Sequence, residues 1–276
     1  MMRKLIGLTV GFILLSGASF ADSPLKIGAT DGASSKFTLS ESTPLTASVM
    51  DYAWANRENL ANQKTIADYL QTAPVIPNDY ETAWKTARMV YFIGNFGAGE
   101  KQFVSTSAGV KLFDYGVSAG KVAIGLKPTA VEGQYWYAVD LGSYGLAKGI
   151  LASASSAGDG MDALKKAIAV DPAYQWNGSS RILGRYYQEL PGIFGGSNKK
   201  ALELLTTATA KSPQFRNNWV FLGQYYISTG NSESALEVCQ KALTLPNQDG
   251  KYEELRYTRE AQACITKAKA KLGSGS

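Results

Sequence analysis

Hydrophobic residues recur at helical spacing along most of the chain. Clear runs are Trp84, Ala87, Tyr91 and Phe92, then Leu183, Tyr186, Tyr187 and Leu190, and later Leu236, Cys239, Ala242 and Leu243. Residues three and four positions apart share one face of an α-helix, so each run predicts an amphipathic helix. No convincing run alternates apolar and polar residues in the way that indicates a β-strand. The pattern therefore predicts an all-α fold.

Prolines divide the helical runs at recurring intervals. They are Pro74, Pro128, Pro172, Pro213 and Pro246. A proline lacks the backbone N–H and clashes with the preceding turn, so it ends a helix. A short polar or small-residue connection follows each proline, which indicates consecutive helices joined by short turns.

Four helical runs share a motif of a large apolar residue, a glycine and, two residues after the glycine, an aromatic residue. The copies begin at Ile93, Leu141, Leu183 and Leu222. In the later copies Ala201 and Ala235 stand 34 residues apart, which is the tetratricopeptide period. The spacing predicts an α-solenoid of four to five tetratricopeptide-like helical hairpins, with residues 252–272 as a C-terminal capping helix.

The small residues of the motif have a steric explanation. Glycine at 184 or 223 and alanine at 201 or 235 lack bulk where the two helices of a hairpin approach most closely. The earlier units are less regular. We expect a degenerate leading unit at 47–74, a long glycine-containing helix at about 105–127, and insertions at 152–158 and 191–196.

The chain begins with the three parts of a secretory signal. Arg3 and Lys4 precede an apolar run from Leu5 to Leu15, and the small residues Ser19 and Ala21 flank Phe20, so cleavage is expected after Ala21. The apolar run is too short to span a membrane, and no other stretch is long enough. We expect residues 1–21 to be a signal peptide, 22–43 a flexible lead-in, 44–272 the repeat domain and 273–276 a linker-like tail, with the mature protein in the periplasm.

The two cysteines, Cys239 and Cys264, fall on consecutive predicted helices. An oxidising compartment permits a disulfide between them. If the helices turn near residues 246–250, however, the cysteines stand at unequal distances from the turn, which counts against close approach of their Cβ atoms. The alternative is that they are two small buried apolar residues.

Composition removes several classes of function. The chain of 276 residues is 45% hydrophobic and contains no histidine, which excludes the Ser-His-Asp and Cys-His arrangements and the HExxH metal helix. Two cysteines cannot build a cysteine-rich metal site. The net charge of +5, or +3 without the leader, is weak and does not indicate nucleic-acid binding. We expect no catalytic activity, no metal and no cofactor.

The sequence also resembles the T-component family associated with TRAP transporters, which are periplasmic tetratricopeptide-like proteins. The resemblance covers about 47–245 and is carried by Tyr52-Ala53-Trp54-Ala55-Asn56-Arg57-Glu58-Asn59-Leu60, by Pro77 to Trp84 with Ala87-Arg88, and by Leu183 to Tyr187 with Leu190-Pro191-Gly192, Gly195-Gly196-Ser197 and Ala201. It implies a non-catalytic protein that docks a periplasmic solute-binding protein and holds or passes a small organic ligand. The chain differs from many members in having no lipid-attachment cysteine after its leader.

The repeat phase indicates which residues face the concave side. The candidate ligand or partner residues are Arg88, Tyr91, Asn95, Trp136, Arg181, Arg185, Asn217 and Gln224, together with Phe194 in the insertion. Guanidinium groups bind carboxylates in bidentate fashion, so three arginines on one surface suit an acidic peptide or an organic acid. The alternative is a solvated helix pair between Arg185 and Glu189.

These patterns leave three functions open. The first is an adaptor that docks a solute-binding protein of a TRAP-type organic-acid uptake system, with a small ligand and a homo-oligomer left open. The second is a scaffold for envelope assembly that binds an extended peptide in its concave groove. The third, a cell-wall hydrolase, has no supporting motif.

Overall fold

The computed structural model describes residue 39 and residues 43–72 and 75–273. In these ranges the regular elements are α1 (Ala47–Ala55), α2 (Leu60–Thr72), α3 (Tyr80–Asn95), α4 (Gly99–Phe103), α5 (Ser107–Leu126), α6 (Val131–Lys148), α7 (Ile150–Val170), α8 (Tyr174–Glu189), a 3-10 turn (Gly192–Phe194), α9 (Asn198–Lys211), α10 (Arg216–Thr229), α11 (Ser232–Thr244) and α12 (Lys251–Gly273). No strand occurs among them, so the all-α prediction is confirmed. The predicted signal peptide, nearly all of the lead-in, Pro74 and the last three residues of the tail lie outside the described residues.

The helix ends follow from local chemistry. Side chains of Thr46, Asp79, Thr106, Ser197 and Asn231 accept hydrogen bonds from backbone N–H groups of the first turn. These caps satisfy donors that a helix start leaves free. At the other ends, four of the predicted prolines stand two residues beyond a helix: they are Pro128, Pro172, Pro213 and Pro246, after α5, α7, α9 and α11.

Consecutive helices pack in pairs as the repeat predicts. The pairs are α3 with α5, α6 with α7, α8 with α9 and α10 with α11, and α12 caps the last pair. A Cβ on Gly184 would lie 2.9 Å from Leu205 Cγ, and one on Gly223 only 2.0 Å from Cys239 Sγ. Because no side chain fits at these points, the glycines allow the helices of a pair to touch. The solenoid of four such pairs with a C-terminal cap is confirmed.

The first units depart from the repeat. Helix α1 packs mainly on α3, and α2 packs on α3, α4 and α5, so the leading unit is not a repeat-type pair. Residues 152–158, expected as an insertion, form part of the first turns of α7. Their run of alanine and serine is compatible with a helix, and Gly149, with a φ of +101°, turns the chain just before it. None of the described helices has the length and apolar content to cross a bilayer.

One hydrophobic core joins the first and last helices. Phe92, Phe96 and Phe113 are at most 2% exposed and cluster with Tyr252 and Tyr257 of α12. The rings of Phe96 and Tyr257 meet edge to face with centroids 5.9 Å apart. The superhelix therefore closes on itself, with α12 packed against the end of α3.

A disulfide joins Cys239 and Cys264, whose Cα atoms are 6.2 Å apart. The expectation that unequal distances from the turn would keep them apart is wrong. Cys239 lies five residues before the end of α11 and Cys264 thirteen residues after the start of α12. At 1.5 Å per residue, this difference of eight residues corresponds to about 12 Å along the helix axis. Segment 245–250 runs that far beyond the end of α11 before α12 begins, and this brings the two cysteines to the same level.

Candidate functional site

Several residues predicted to face the concave side form a hydrogen-bonded belt across five helices. Arg185 Nη1 donates to Gln224 Oε1 (3.2 Å), Gln224 Nε2 to Glu260 Oε2 (3.0 Å), Arg256 Nε to Glu260 Oε1 (2.8 Å), Arg256 Nη1 to the carbonyl of Asn95 (2.6 Å), and Asn95 Nδ2 to Ser143 Oγ (3.2 Å). We call this set the inner belt. It links α8, α10, α12, α3 and α6 around the inner side of the superhelix.

The charged and polar groups of the inner belt find their hydrogen-bond partners within the chain. Arg185 also pairs with Glu189 at 3.0 Å, the helix pair that the sequence left as an alternative. Burial alone would lower the pKa of Arg256, but the charge and hydrogen bond of Glu260 outweigh it and raise that pKa above its ordinary value. The belt therefore closes the superhelix, and its cations already have acceptors within the chain.

Arg181 lies deeper, near the N-terminal ends of the inner helices. It is 4% exposed, and its Nη1 donates to Asn218 Oδ1 at 2.7 Å while its Nη2 reaches the Tyr135 hydroxyl at 3.4 Å. The guanidinium also lies 5.0 Å from the centre of the Phe215 ring. These contacts orient the cation inside the core, where it holds α8, α10 and α6 together.

A strained turn opens α8 directly before Arg181. Gln175, Trp176 and Asn177 have φ values of 51°, 58° and 58°, in the left-handed region that costs about 1–2 kcal/mol for each such residue. Hydrogen bonds hold the turn, since Asn218 Nδ2 donates to the Trp176 carbonyl at 3.1 Å and Asn177 Nδ2 to the Pro172 carbonyl at 2.7 Å. The sequence carries no glycine at these three positions and gave no sign of the turn.

The remaining predicted residues divide between the core and the surface. Tyr91 and Trp136 pack with ring centroids 5.8 Å apart, and Trp136 Nε1 donates to the Tyr174 hydroxyl at 3.0 Å. Burial raises the pKa of Tyr91 well above its usual value. Asn217 is 2% exposed, whereas Phe194 is 40% exposed on the 3-10 turn. Whether any of them binds a ligand or partner stays a prediction.

Arg88 belongs to an alternating stack of tryptophan and arginine. Its guanidinium carbon lies 4.9 Å from the centre of the Trp84 ring and 4.2 Å from that of Trp54. Arg57 lies 4.1 Å from the centre of the Trp54 ring. We call these four residues the Trp–Arg stack. Cation–π contacts of this kind contribute about 0.5–2 kcal/mol each, depending on desolvation.

The Trp–Arg stack is half-buried and borders solvent. The side chains of Arg57 and Arg88 are 18% and 15% exposed, and Tyr52 on the same α1 segment is 41% exposed. Tryptophan, tyrosine and arginine are the residue types that carry most binding energy at protein interfaces. The repeat phase predicts only Arg88 of these four residues. A signal for the others existed, because Trp54 and Arg57 are three residues apart and Trp84 and Arg88 four.

Asp140 is an isolated carboxyl group in the core. It is fully buried, and neither carboxylate oxygen has a hydrogen-bond partner among the described residues. Burial raises the pKa of Asp140 well above its ordinary value. A Cβ on Gly116 would lie 2.4 Å from Asp140 Oδ2, so the group is enclosed by packed helices. No described residue therefore stabilises its ionised form by a hydrogen bond.

A shallow depression of about 290 Å³ lies on the outer face between α5, α6 and α7. Its lining includes Lys121 and Lys166 together with Asp159 and Asp162. Charges of both signs line it in equal number, so it presents no field that favours an ionic ligand.

Comparisons with known proteins agree with this fold. Residues 217–249, which span α10 and α11, match the family model of the tetratricopeptide repeat. The crystal structure of TTC0263, a thermophilic TPR protein of Thermus thermophilus, is similar with a TM-score of 0.54 and 18% identity over 82% of this chain and 100% of that one. A crystal structure of MamA protein gives a TM-score of 0.43 and 20% identity over 72% and 90%.

No curated protein matches the chain. The repeat match and the shared fold define the chain as a tetratricopeptide-like helical repeat protein. Stacked helical repeats form extended surfaces of the kind that repeat proteins use to bind partners.

Proposed function

We propose that the chain is a non-catalytic periplasmic adaptor that docks a solute-binding protein of a TRAP-type organic-acid uptake system. The fold supports the coarser part of this proposal, an interaction scaffold. The signal-like leader supports export, and the resemblance to the T-component family supports the choice of partner.

The observation that carries the proposal is the Trp–Arg stack. Two of the three segments that carry the family resemblance, 52–60 and 77–88, are distant in sequence, and the fold brings Trp54 and Arg57 of the first onto Trp84 and Arg88 of the second. A partly exposed cluster of these residue types is suited to anchor a partner protein. We therefore place the docking surface at the stack, with Tyr52 at its edge.

The inner face is less suited to binding. An extended peptide lying along it would have to displace α12 and break the bonds of Arg256 to Asn95 and Glu260. No contact among the described residues favours this alternative scaffold function. Binding of a small organic acid and assembly into a homo-oligomer remain predictions, and the first test described below addresses both.

The first test is native mass spectrometry of the protein isolated gently from its own periplasm. We expect a complex with a solute-binding protein, and the spectrum also records subunit number and any small ligand. Recovery without such a protein, or with envelope-assembly proteins instead, would count against the adaptor function.

The second test locates the surface. With the co-purified partner in hand, Arg88→Ala and Tyr52→Ala should each weaken binding at least tenfold by titration calorimetry. Arg259→Ala is the matched control, because this arginine is exposed on α12 and its one ion pair among the described residues is with Glu100. Equal binding by all variants would remove the Trp–Arg stack from the proposal.

A further inference from the structure

Arg88 is the one arginine of the described chain that donates no hydrogen bond to another described residue. Arg57 and the arginines of α8, α10 and α12 each donate at least one to a side chain or a carbonyl group. A guanidinium group carries five N–H donors, and a buried donor without an acceptor costs free energy. The unused donors of Arg88 are therefore available to an acceptor from outside the described chain.

Two tryptophan rings flank the Arg88 guanidinium and leave part of its edge open. The guanidinium carbon lies 4.2 Å from the centre of the Trp54 ring and 4.9 Å from that of Trp84. Nε is buried without a hydrogen-bond partner, whereas neither Nη1 nor Nη2 is buried in this way, and the side chain is 15% exposed. The terminal N–H groups therefore reach solvent, where a carboxylate can accept two parallel hydrogen bonds from them.

Asp51 is the one described carboxylate within ion-pair distance of Arg88, and it is shared with a second cation. Its Oδ1 lies 3.7 Å from Arg88 Nη2, beyond hydrogen-bond distance, while its Oδ2 accepts from Lys85 Nζ at 2.7 Å. Glu81 lies 3.6 Å from Lys85 Nζ and accepts from Trp84 Nε1. Burial lowers the pKa of Arg88 despite the opposing charge of Asp51. Both signs of charge border the stack, so the attraction for an anion comes from one undersatisfied guanidinium and not from a net positive field.

We propose that an aspartate or glutamate side chain of the partner protein binds end-on to the Arg88 guanidinium beside the two tryptophans. This recognition rests on the proposed adaptor function, because it names the group that the docking surface binds. A carboxylate matches the planar fork of arginine, and charge-assisted bonds of this kind are roughly twice as strong as bonds between neutral groups. The indole rings exclude water from the bonds, as the contacts around an interface hot spot do.

The shape of the surface favours a side chain of a protein over a free organic acid. Small ligands bind in concave pockets that enclose most of their surface. The depressions of about 290 and 210 Å³ on the described surface lie elsewhere, since no residue of the Trp–Arg stack lines either of them. A side chain that projects from a protein needs no such enclosure, because the rest of the interface holds it in place.

Two labelled peptides test which group is recognised without the need for a natural partner. One is a fluorescein-labelled decapeptide of alternating glutamate and glycine, and the other carries glutamine in place of glutamate. By fluorescence polarisation, we expect the parent to bind the glutamate peptide at least tenfold more tightly. Arg88→Gln removes the charge and Arg88→Lys the planar fork, so each should weaken this binding at least tenfold. Asp51→Asn should strengthen it at least twofold, because it removes a competing carboxylate.

Arg259→Gln is the matched control, because it removes an exposed arginine of α12 that pairs with Glu100. It should bind the glutamate peptide as the parent does, and circular dichroism checks that every variant keeps its helices. No preference of the parent for the glutamate peptide, or an equal loss in Arg88→Gln and Arg259→Gln, would overturn the proposal. Displacement of the peptide by succinate at micromolar concentration would show instead that the site takes a free organic acid.

Failure of this site and failure of the adaptor function give different results. Selective peptide binding through Arg88, without a solute-binding protein in the native complex, would support the carboxylate site and count against the adaptor. A co-purified solute-binding protein that binds Arg88→Lys as tightly as the parent would do the reverse.

Discussion

Glu58 Oε2 accepts a hydrogen bond of 3.0 Å from the backbone N–H of Lys251, across 193 residues of sequence. The carboxylate thereby satisfies a donor in the first turn of α12, and its negative charge suits the positive end of the helix dipole. Glu58 belongs to the connection between α1 and α2, so this bond ties the beginning of the described chain to its last helix. It acts together with the bond from Arg256 to Asn95.

Loss of the Arg256 guanidinium should destabilise the closed superhelix. Arg256→Leu keeps much of the aliphatic packing on Phe96 but removes the donor to Glu260 Oε1 and to the Asn95 carbonyl. Removing one member of a fully buried ion pair costs about 3–5 kcal/mol. The side chains of Arg256 and Glu260 are 21% and 11% exposed, so we expect a smaller loss of about 2 kcal/mol in urea unfolding.

Arg259→Leu is the matched control for this experiment. Arg259 lies three residues further along α12, its side chain is 59% exposed and it pairs with Glu100 at the surface. Exposed pairs contribute at most about 1 kcal/mol. If both variants lose the same stability, the inner belt has no special role in closing the fold.

Folding stability should fall as pH rises through the range in which Glu253 ionises. Burial, reinforced by the charges of Asp249 and Glu58, raises the pKa of Glu253 to about 7, although Arg57 opposes the shift. The unfolded carboxyl titrates near 4.3, so between these values the folded state holds more protons and loses stability with rising pH. We expect a loss of roughly 2–3 kcal/mol between about pH 4.5 and 7, with little further change above that range.

The variant Glu253→Gln isolates this contribution. Burial also raises the pKa of Asp140, so Asp140 too makes folding stability fall as pH rises. The contribution of Glu253 is therefore the difference in unfolding free energy between the parent and the variant, compared at pH 5 and pH 8. The variant should be the more stable protein at pH 8 and show the shallower pH dependence. Parallel pH profiles would exclude Glu253 as the titrating group.

Reduction of the disulfide should lower the free energy of unfolding. The bridge closes a loop whose ends are 25 residues apart, for which the chain-entropy relation gives about 3.5 kcal/mol. Urea unfolding with and without dithiothreitol measures the effect. Cys239→Ala/Cys264→Ala should resemble the reduced protein and be insensitive to the reductant. If dithiothreitol does not change the unfolding free energy of the parent, the disulfide contributes nothing to stability.

Replacement of Asp140 should stabilise the protein. Its carboxyl group is buried with no hydrogen-bond partner among the described residues, and such a group costs roughly 1–3 kcal/mol. Because burial raises the pKa of Asp140, we expect Asp140→Asn to raise the unfolding midpoint, with a larger gain at pH 8 than at pH 5. Asp159→Asn, at an exposed position on α7, serves as the control. Destabilisation at pH 8 would reveal a partner for the carboxylate.

Local signals predicted most of the helical architecture. The prolines at 128, 172, 213 and 246 mark helix ends, because a missing N–H acts within one turn of the chain. Gly223 and Ala235 mark the contact between α10 and α11, since that contact recurs with every repeat. Structural features that depend on neighbouring residues, or that recur with a fixed period, can therefore be predicted from one sequence.

Closure of the superhelix, and the contact between the two Trp–Arg pairs, could not be predicted in this way. Arg256 meets Asn95 across 161 residues, and polar partners at that distance leave no periodic trace. The disulfide was misjudged because the register of α12 on α11 depends on the path of residues 245–250. The repeat phase placed Arg185, Asn95 and Gln224 on the inner face, but it could not show that α12 supplies their partners.

Contact between the first and last helices changes how the protein should unfold. In an open array each repeat touches only its neighbours, so terminal repeats can melt one at a time. Here the N-terminal helices and α12 share one core, so unfolding of either end exposes apolar side chains of the other. We therefore expect one cooperative transition and even hydrogen-exchange protection across the helices, where an open array would fray from its ends. Contacts that join such distant parts of the chain also raise the contact order and slow folding.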